Sequence, residues 1–79
     1  MREEIMDQDL DSVVGGIVRV SGNRMKCSFS TLQEAYPLKN CDPSDASLLA
    51  QILYNQFKNE GDLVFETKVK EAFIQRGWI

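Results

Sequence analysis

Two adjacent glycines, Gly15 and Gly16, are the residues of this chain whose position best fits a chemical event, the cutting of a peptide bond. The apolar residues upstream have the spacing of one helix face and are Met6, Leu10, Val13 and Val14. A groove on a protease could hold that face. The two glycines, which have no side chains, could enter a slot too narrow for other residues. The pattern predicts an amphipathic recognition helix ahead of a cut site.

This segment resembles the double-glycine leader of bacterial exported peptides, including bacteriocin precursors. In that family, hydrophobic residues stand four, seven and twelve positions before the cut, and an acid stands eight before it. The corresponding residues here are Val13, Leu10, Ile5 and Asp9. Ile5 stands where the family usually has Leu, and Asp9 where it usually has Glu. The resemblance implies cleavage between Gly16 and Ile17.

The resemblance also implies the partner and the fate of the chain. A peptidase-containing ABC transporter would bind the leader, residues 1–16, through its cysteine peptidase domain, and its transmembrane cavity would carry the cargo, residues 17–79. The precursor would be cytoplasmic and the cargo secreted, with a bacteriocin-like or signalling role. The chain would then be a substrate and not an enzyme.

The alternative is a small intracellular interaction or immunity-type module with an uncleaved N-terminal helix. In that interpretation the two glycines end the helix and turn the chain into a strand, as in many ordinary domains.

Charge divides the chain at the same place. The first sixteen residues carry five acids and one arginine, a net charge of −4, whereas the remainder carries +1, with eight basic and seven acidic residues. Removal of the leader would therefore convert an acidic precursor into a nearly neutral product. That charge favours neither a nucleic-acid partner nor any particular membrane surface, so membrane contact by the cargo stays open.

The two cysteines, Cys27 and Cys41, could form a disulfide in an exported chain. The closed loop would hold about 15 residues and would stabilise a small domain by roughly 3 kcal/mol on the chain-entropy argument. The alternative is a pair of unrelated free thiols, one of them facing the core.

Other site chemistries have little support in the sequence. The chain has no histidine, which removes Cys-His and Ser-His nucleophile pairs, and two cysteines do not make a structural zinc set. Neither a catalytic residue, a metal site nor a cofactor is expected. The apolar runs are also shorter than the roughly 20 residues of a membrane span.

The elements that would position these residues form a small α+β fold, with a mainly α fold as the alternative. The leader helix is expected to be flexible when unbound. A hairpin over 17–29 is predicted around Gly22 and Asn23 as a type II′ turn, which places Val20 opposite Met25 and Val18 opposite Cys27.

Two to three helices follow the hairpin. A capping-box pattern that begins at Ser30 predicts a short helix over 31–36. Asp42 and Pro43 start a helix over 43–60, which Gly61 ends. A last helix is predicted over 63–76, ahead of Gly77, although a strand could also begin at its N-terminal end. The residues expected to share one face of this helix are Phe65, Val69, Ala72, Phe73 and Arg76. The expected apolar face of the helix over 43–60 consists of Leu48, Leu49, Ile52, Leu53 and Phe57.

Overall fold

The computed structural model describes residues 11–22 and 25–79 and contains a four-stranded antiparallel sheet with two helices. The strands are β1 (Asp11–Val14), β2 (Val18–Ser21), β3 (Lys26–Phe29) and β4 (Glu34–Pro37). They lie side by side in chain order. The helices are α1 (Pro43–Phe57) and α2 (Asp62–Gln75), joined by a 3₁₀ turn over Lys58–Glu60. The α+β class is therefore confirmed, and the mainly α alternative is wrong.

The core lies between one face of the sheet and the two helices. Because side chains alternate along a strand, each strand of the hairpin gives its apolar residues to this face. The sheet supplies Val14, Val18, Val20, Cys27 and Phe29. The helices supply Ala46, Ala50, Phe65, Val69 and Phe73, and Leu38 joins them from the loop after β4.

The hairpin exists, but the expected register is wrong. Val18 lies opposite Phe29 and Val20 opposite Cys27, a shift of two residues from the predicted pairs. The Met25 N–H donates to the Gly22 carbonyl at 3.3 Å, so Gly22 flanks the turn and does not hold the first central position that the type II′ prediction gave it. A shift of two residues leaves the inward face unchanged, and it brings Phe29 into the core while Met25 stays outside.

The short helix predicted over 31–36 is also wrong, because this segment forms a turn and then β4. Gln33 has φ of +57° and donates its N–H back to the Ser30 carbonyl. The Thr31 N–H donates to the Glu66 carboxylate on α2 at 3.0 Å. Pairing with β3 and this long-range bond override the local capping pattern.

The two later helices are confirmed, with one change in the buried face of α1. Asp42 holds the N-cap position in an extended conformation, although its side chain makes no capping bond, and Pro43 follows at the first position. Leu48 and Ile52, expected to be inside, are 61% and 46% exposed. Ala46 and Ala50 are buried in their place, which allows α1 to approach the sheet closely.

The helix α2 buries the face that its spacing predicts, through Phe65, Val69 and Phe73. Beyond it, Trp78 packs edge-on against Phe73, with ring centroids 5.2 Å apart, and its carbonyl accepts the Lys39 N–H. The C-terminal tryptophan is thus attached to the core. None of the helices among residues 11–22 and 25–79 combines the length and apolar character needed to cross a membrane.

Candidate functional site

The two glycines form the turn between β1 and β2. Both have left-handed backbones, with φ of +64° at Gly15 and +76° at Gly16, and the Ile17 N–H donates to the Val14 carbonyl at 3.2 Å. Glycine adopts these angles at little cost, whereas other residues are strained there. The segment around the expected cut is therefore a closed turn, not an extended chain.

Residues 11–14, which the expected leader helix would include, form β1 and pair with β2 in this structure. Period-2 alternation separates Val13, which is 57% exposed, from Val14, which is 2% exposed, so they do not share a face. Pairing with β2 and burial of Val14 outweigh the helical spacing. Of the other recognition residues, Ile5, Asp9 and Leu10 lie outside the described residues, as does the rest of the expected helix over 1–10.

The two glycines have different surroundings. A Cβ atom on Gly15 would lie 2.8 Å from two ring carbons of Tyr54 and 3.2 Å from Phe65, which is closer than atoms can approach without movement. A Cβ atom on Gly16 would meet nothing within 4 Å. Position 15 therefore requires glycine both because of its left-handed backbone and because Tyr54 leaves no room for a side chain. Position 16 requires glycine only because of its left-handed backbone.

The residue after the expected cut is also fixed. Ile17 is half-buried against the core, and its carbonyl accepts the Ser30 N–H at 2.9 Å. With Val14 buried on the other side of the glycines, the bond between Gly16 and Ile17 is held at both ends. A peptidase that binds its substrate extended would have to open this hairpin first.

Both cysteines are free thiols in the structure. Burial, and secondarily the nearby Cys41, raises the pKa of Cys27 to about 12. Burial also raises the pKa of Cys41, with Asp45 and Asp42 adding to the effect. Since the thiolate is the reactive form, both residues are poor nucleophiles in the folded chain. Their pairing in an oxidised, exported chain stays a prediction.

A polar network between α2 and the β3–β4 end of the sheet was not foreseen. The spacing of Glu66 and Lys70 suggests a pair along one helix, but Lys70 binds Glu34 on β4 at 2.6 Å. Tyr36 donates to the same carboxylate at 2.7 Å, and the Lys70 hydrogen bond lowers the pKa of Glu34. Glu66 is instead fully buried with its Oε2 on Thr31, and its Oε1 has no hydrogen-bond partner.

Within the part of the chain that the structure describes, no group of three or more acidic or cysteine side chains could hold a metal ion. The arrangement offers a peptide bond held at both ends within a turn, and a buried polar contact between Glu66 and Thr31. Comparison with known proteins finds no family model, no curated protein and no solved structure that matches this chain.

Proposed function

We propose that this chain is the precursor of an exported bacterial peptide, cut after Gly16 by the cysteine peptidase domain of an ABC exporter. Residues 1–16 are the leader and residues 17–79 the cargo, with a bacteriocin-like or signalling role. The cleavage chemistry belongs to the partner's cysteine, and this chain supplies the recognition residues and the scissile bond.

The observation that carries the proposal is the peripheral place of β1 in the fold. Among the described residues, eleven apolar side chains form the buried core, and only Val14 precedes the proposed cut. β1 is an edge strand that neighbours β2 alone. A cut after Gly16 would remove this one strand and leave three strands, both helices and the other ten core residues in one product.

Recognition of the leader requires β1 to leave the sheet. Val13 is exposed and can contact a partner in the folded chain, but Val14 is buried and cannot. An amphipathic docking helix with Ile5, Leu10 and Val13 as anchors and Asp9 as a polar contact can form only once this pairing is broken. Export through a transmembrane cavity also requires an unfolded chain. Leader recognition and export therefore both require the folded chain to open.

A second function is favoured by the packing of the same segment. Val14 belongs to the core and Gly15 fits beneath Tyr54, as expected if residues 11–16 are a permanent part of the domain. On that account the chain is an uncleaved interaction or immunity-type module. The two proposals differ in whether a product that begins at Ile17 exists.

A pair of matched substitutions tests the cut. Gly16 and Gly77 both have left-handed backbones, with φ of +76° and +77°, and both have open space at the Cβ position. Asparagine tolerates such a backbone better than most residues. Gly16→Asn should therefore keep the fold and abolish cleavage, because its side chain cannot enter the peptidase slot.

The control Gly77→Asn, which carries the same change far from the cut in the chain, should be processed like the unmodified precursor. Both are incubated with an exporter peptidase domain and followed by intact mass. Equal processing of Gly16→Asn and Gly77→Asn would contradict cleavage at this site.

A further inference from the structure

We propose that the place occupied by β1 becomes a binding groove for an extended strand of a partner once the leader has been cut away. We call it the strand groove and define it by the outer edge of β2 (Val18–Ser21) and the rings of Tyr54 and Phe65. The inference rests on the proposed function, since only removal of residues 1–16 opens the groove.

The backbone of β2 supplies the first part of the groove. All four residues of β2 pair with β1 on one side and with β3 on the other. Loss of β1 leaves the outer N–H and C=O groups of β2 without partners. An exposed row of such groups accepts an added strand, which is one of the common ways in which proteins bind extended peptides.

Side chains give the groove its selectivity. Val14 lies opposite Val18 and is 2% exposed, so its departure uncovers an apolar site in the core. The next residue, Gly15, passes beneath Tyr54 with no room for a Cβ atom. The groove therefore fits a strand that carries a small aliphatic residue followed directly by glycine.

The position of α1 favours a peptide over a second copy of the chain. This helix contacts both β1 and β2, so it extends over the edge at which a new strand would add. Two copies joined through their β2 edges would bring both α1 helices over the same junction, where they would compete for space. An extended segment has no such helix and can take the path that β1 follows.

The test uses the full chain, folded first and cut afterwards. A recognition sequence for a specific protease is inserted between Gly16 and Ile17, at a turn tip where insertions are tolerated. After cutting, a fluorescent peptide that copies residues 7–16 is added in excess, and its uptake is followed by anisotropy. The cut chain should bind this peptide, whereas the uncut chain, whose groove is filled, should not.

Variant peptides distinguish binding in the strand groove from nonspecific binding. Peptides with Val14→Asp or Gly15→Val should bind at least about tenfold more weakly, because one places a charge in the core and the other meets Tyr54. A peptide with Val13→Asp should bind within about threefold of the native peptide, because the Val13 side chain faces away from the core and lies largely exposed.

Several results would overturn the inference. Two concern the peptides: the cut chain takes up no peptide, or it takes up the Val14→Asp peptide as well as the native one. Two concern the cut chain itself: it self-associates in place of binding peptide, or circular dichroism shows that it has lost its fold. Because an added protease makes the cut, none of these results depends on an exporter peptidase. Absence of natural cleavage would count against the proposed function alone.

Discussion

The ring of Tyr54 on α1 fills the space that a Cβ atom on Gly15 would need, with ring carbons 2.8 Å from that position. This contact joins the β1–β2 turn to the helix layer, and the ring of Phe65 completes it from α2 with its centroid 5.3 Å from that of Tyr54. Gly15 is therefore a packing element of the folded chain as well as part of the proposed cut site.

The first prediction compares alanine at the two glycines. Each substitution strains a left-handed backbone by roughly 1 to 2 kcal/mol. Gly15→Ala also forces Tyr54 to move, which should cost about 1 to 3 kcal/mol more. Urea denaturation should show Gly15→Ala to be the less stable protein by that difference, and equal midpoints for the two variants would contradict the Tyr54 contact.

The second prediction links folding to processing. Phe73 is fully buried, and Phe73→Ala should cost about 3 to 5 kcal/mol, enough to unfold much of a domain of this size. Because the hairpin must open before the bond is extended, an exporter peptidase should cleave Phe73→Ala faster than the unmodified chain.

The neighbouring variant Ile74→Ala is the control, since Ile74 is 52% exposed and its loss should leave the rate unchanged. A free peptide that covers residues 1–22 should be cut at the fast rate throughout. Identical rates for Phe73→Ala and the unmodified chain would contradict protection by the fold.

The sequence predicts well those elements whose signals are local. Asp42 and Pro43 give the start of α1, and the spacing of Phe65, Val69 and Phe73 gives the buried face of α2. The sequence predicts poorly those segments whose structure depends on contacts with residues far away in the chain. The segment after Ser30 carries a helix signal, yet its backbone groups bond to β3 and to Glu66 instead. Val13 and Val14 have helical spacing in the sequence, yet they lie on a strand that pairs with β2.

The candidate site likewise has some features that the sequence predicts and others that it does not. Gly15 and Gly16 stand out in the sequence because of their neighbours, and their left-handed turn follows the ordinary preference of glycine. The packing of Gly15 against Tyr54 has no signal in the sequence, since the two residues lie far apart in the chain. The burial of Glu66 likewise has no signal in the sequence, because its spacing from Lys70 suggests an exposed ion pair along the helix.

The third prediction concerns Glu66, which accepts the Thr31 N–H from within the core. Glu66→Ala leaves that N–H without an acceptor and creates a cavity, so it should lower the free energy of unfolding by at least about 2 kcal/mol. Glu66→Gln keeps an acceptor and should cost about 1 kcal/mol less than alanine. Thermal unfolding checks the order, and a glutamine variant no more stable than the alanine variant would contradict the role of this bond.

The fourth prediction concerns pH. The pKa of Cys27 rises from 9.0 to about 12 on folding, so the folded state holds this proton more tightly than the unfolded state. The resulting stability is complete below pH 9 and is lost as the pH rises from about 9 toward about 12, by up to roughly 1.4 kcal/mol per pH unit.

The control for this pH dependence is Cys27→Ala, which removes the titrating thiol and leaves the other groups in place. Under reducing conditions, the unmodified chain should lose stability above pH 9 more steeply than Cys27→Ala. Parallel curves for the two proteins would contradict the burial of the Cys27 thiol.

The most direct test of the central claim is the intact mass of the chain recovered from the culture medium and from the cells that produce it. Cleavage after Gly16 predicts that the medium contains a product that begins at Ile17, and that Gly16→Asn removes this product from the medium. A chain that stays inside the cells at full length, with residues 1–16 still attached, would contradict the leader and leave the uncleaved module as the function.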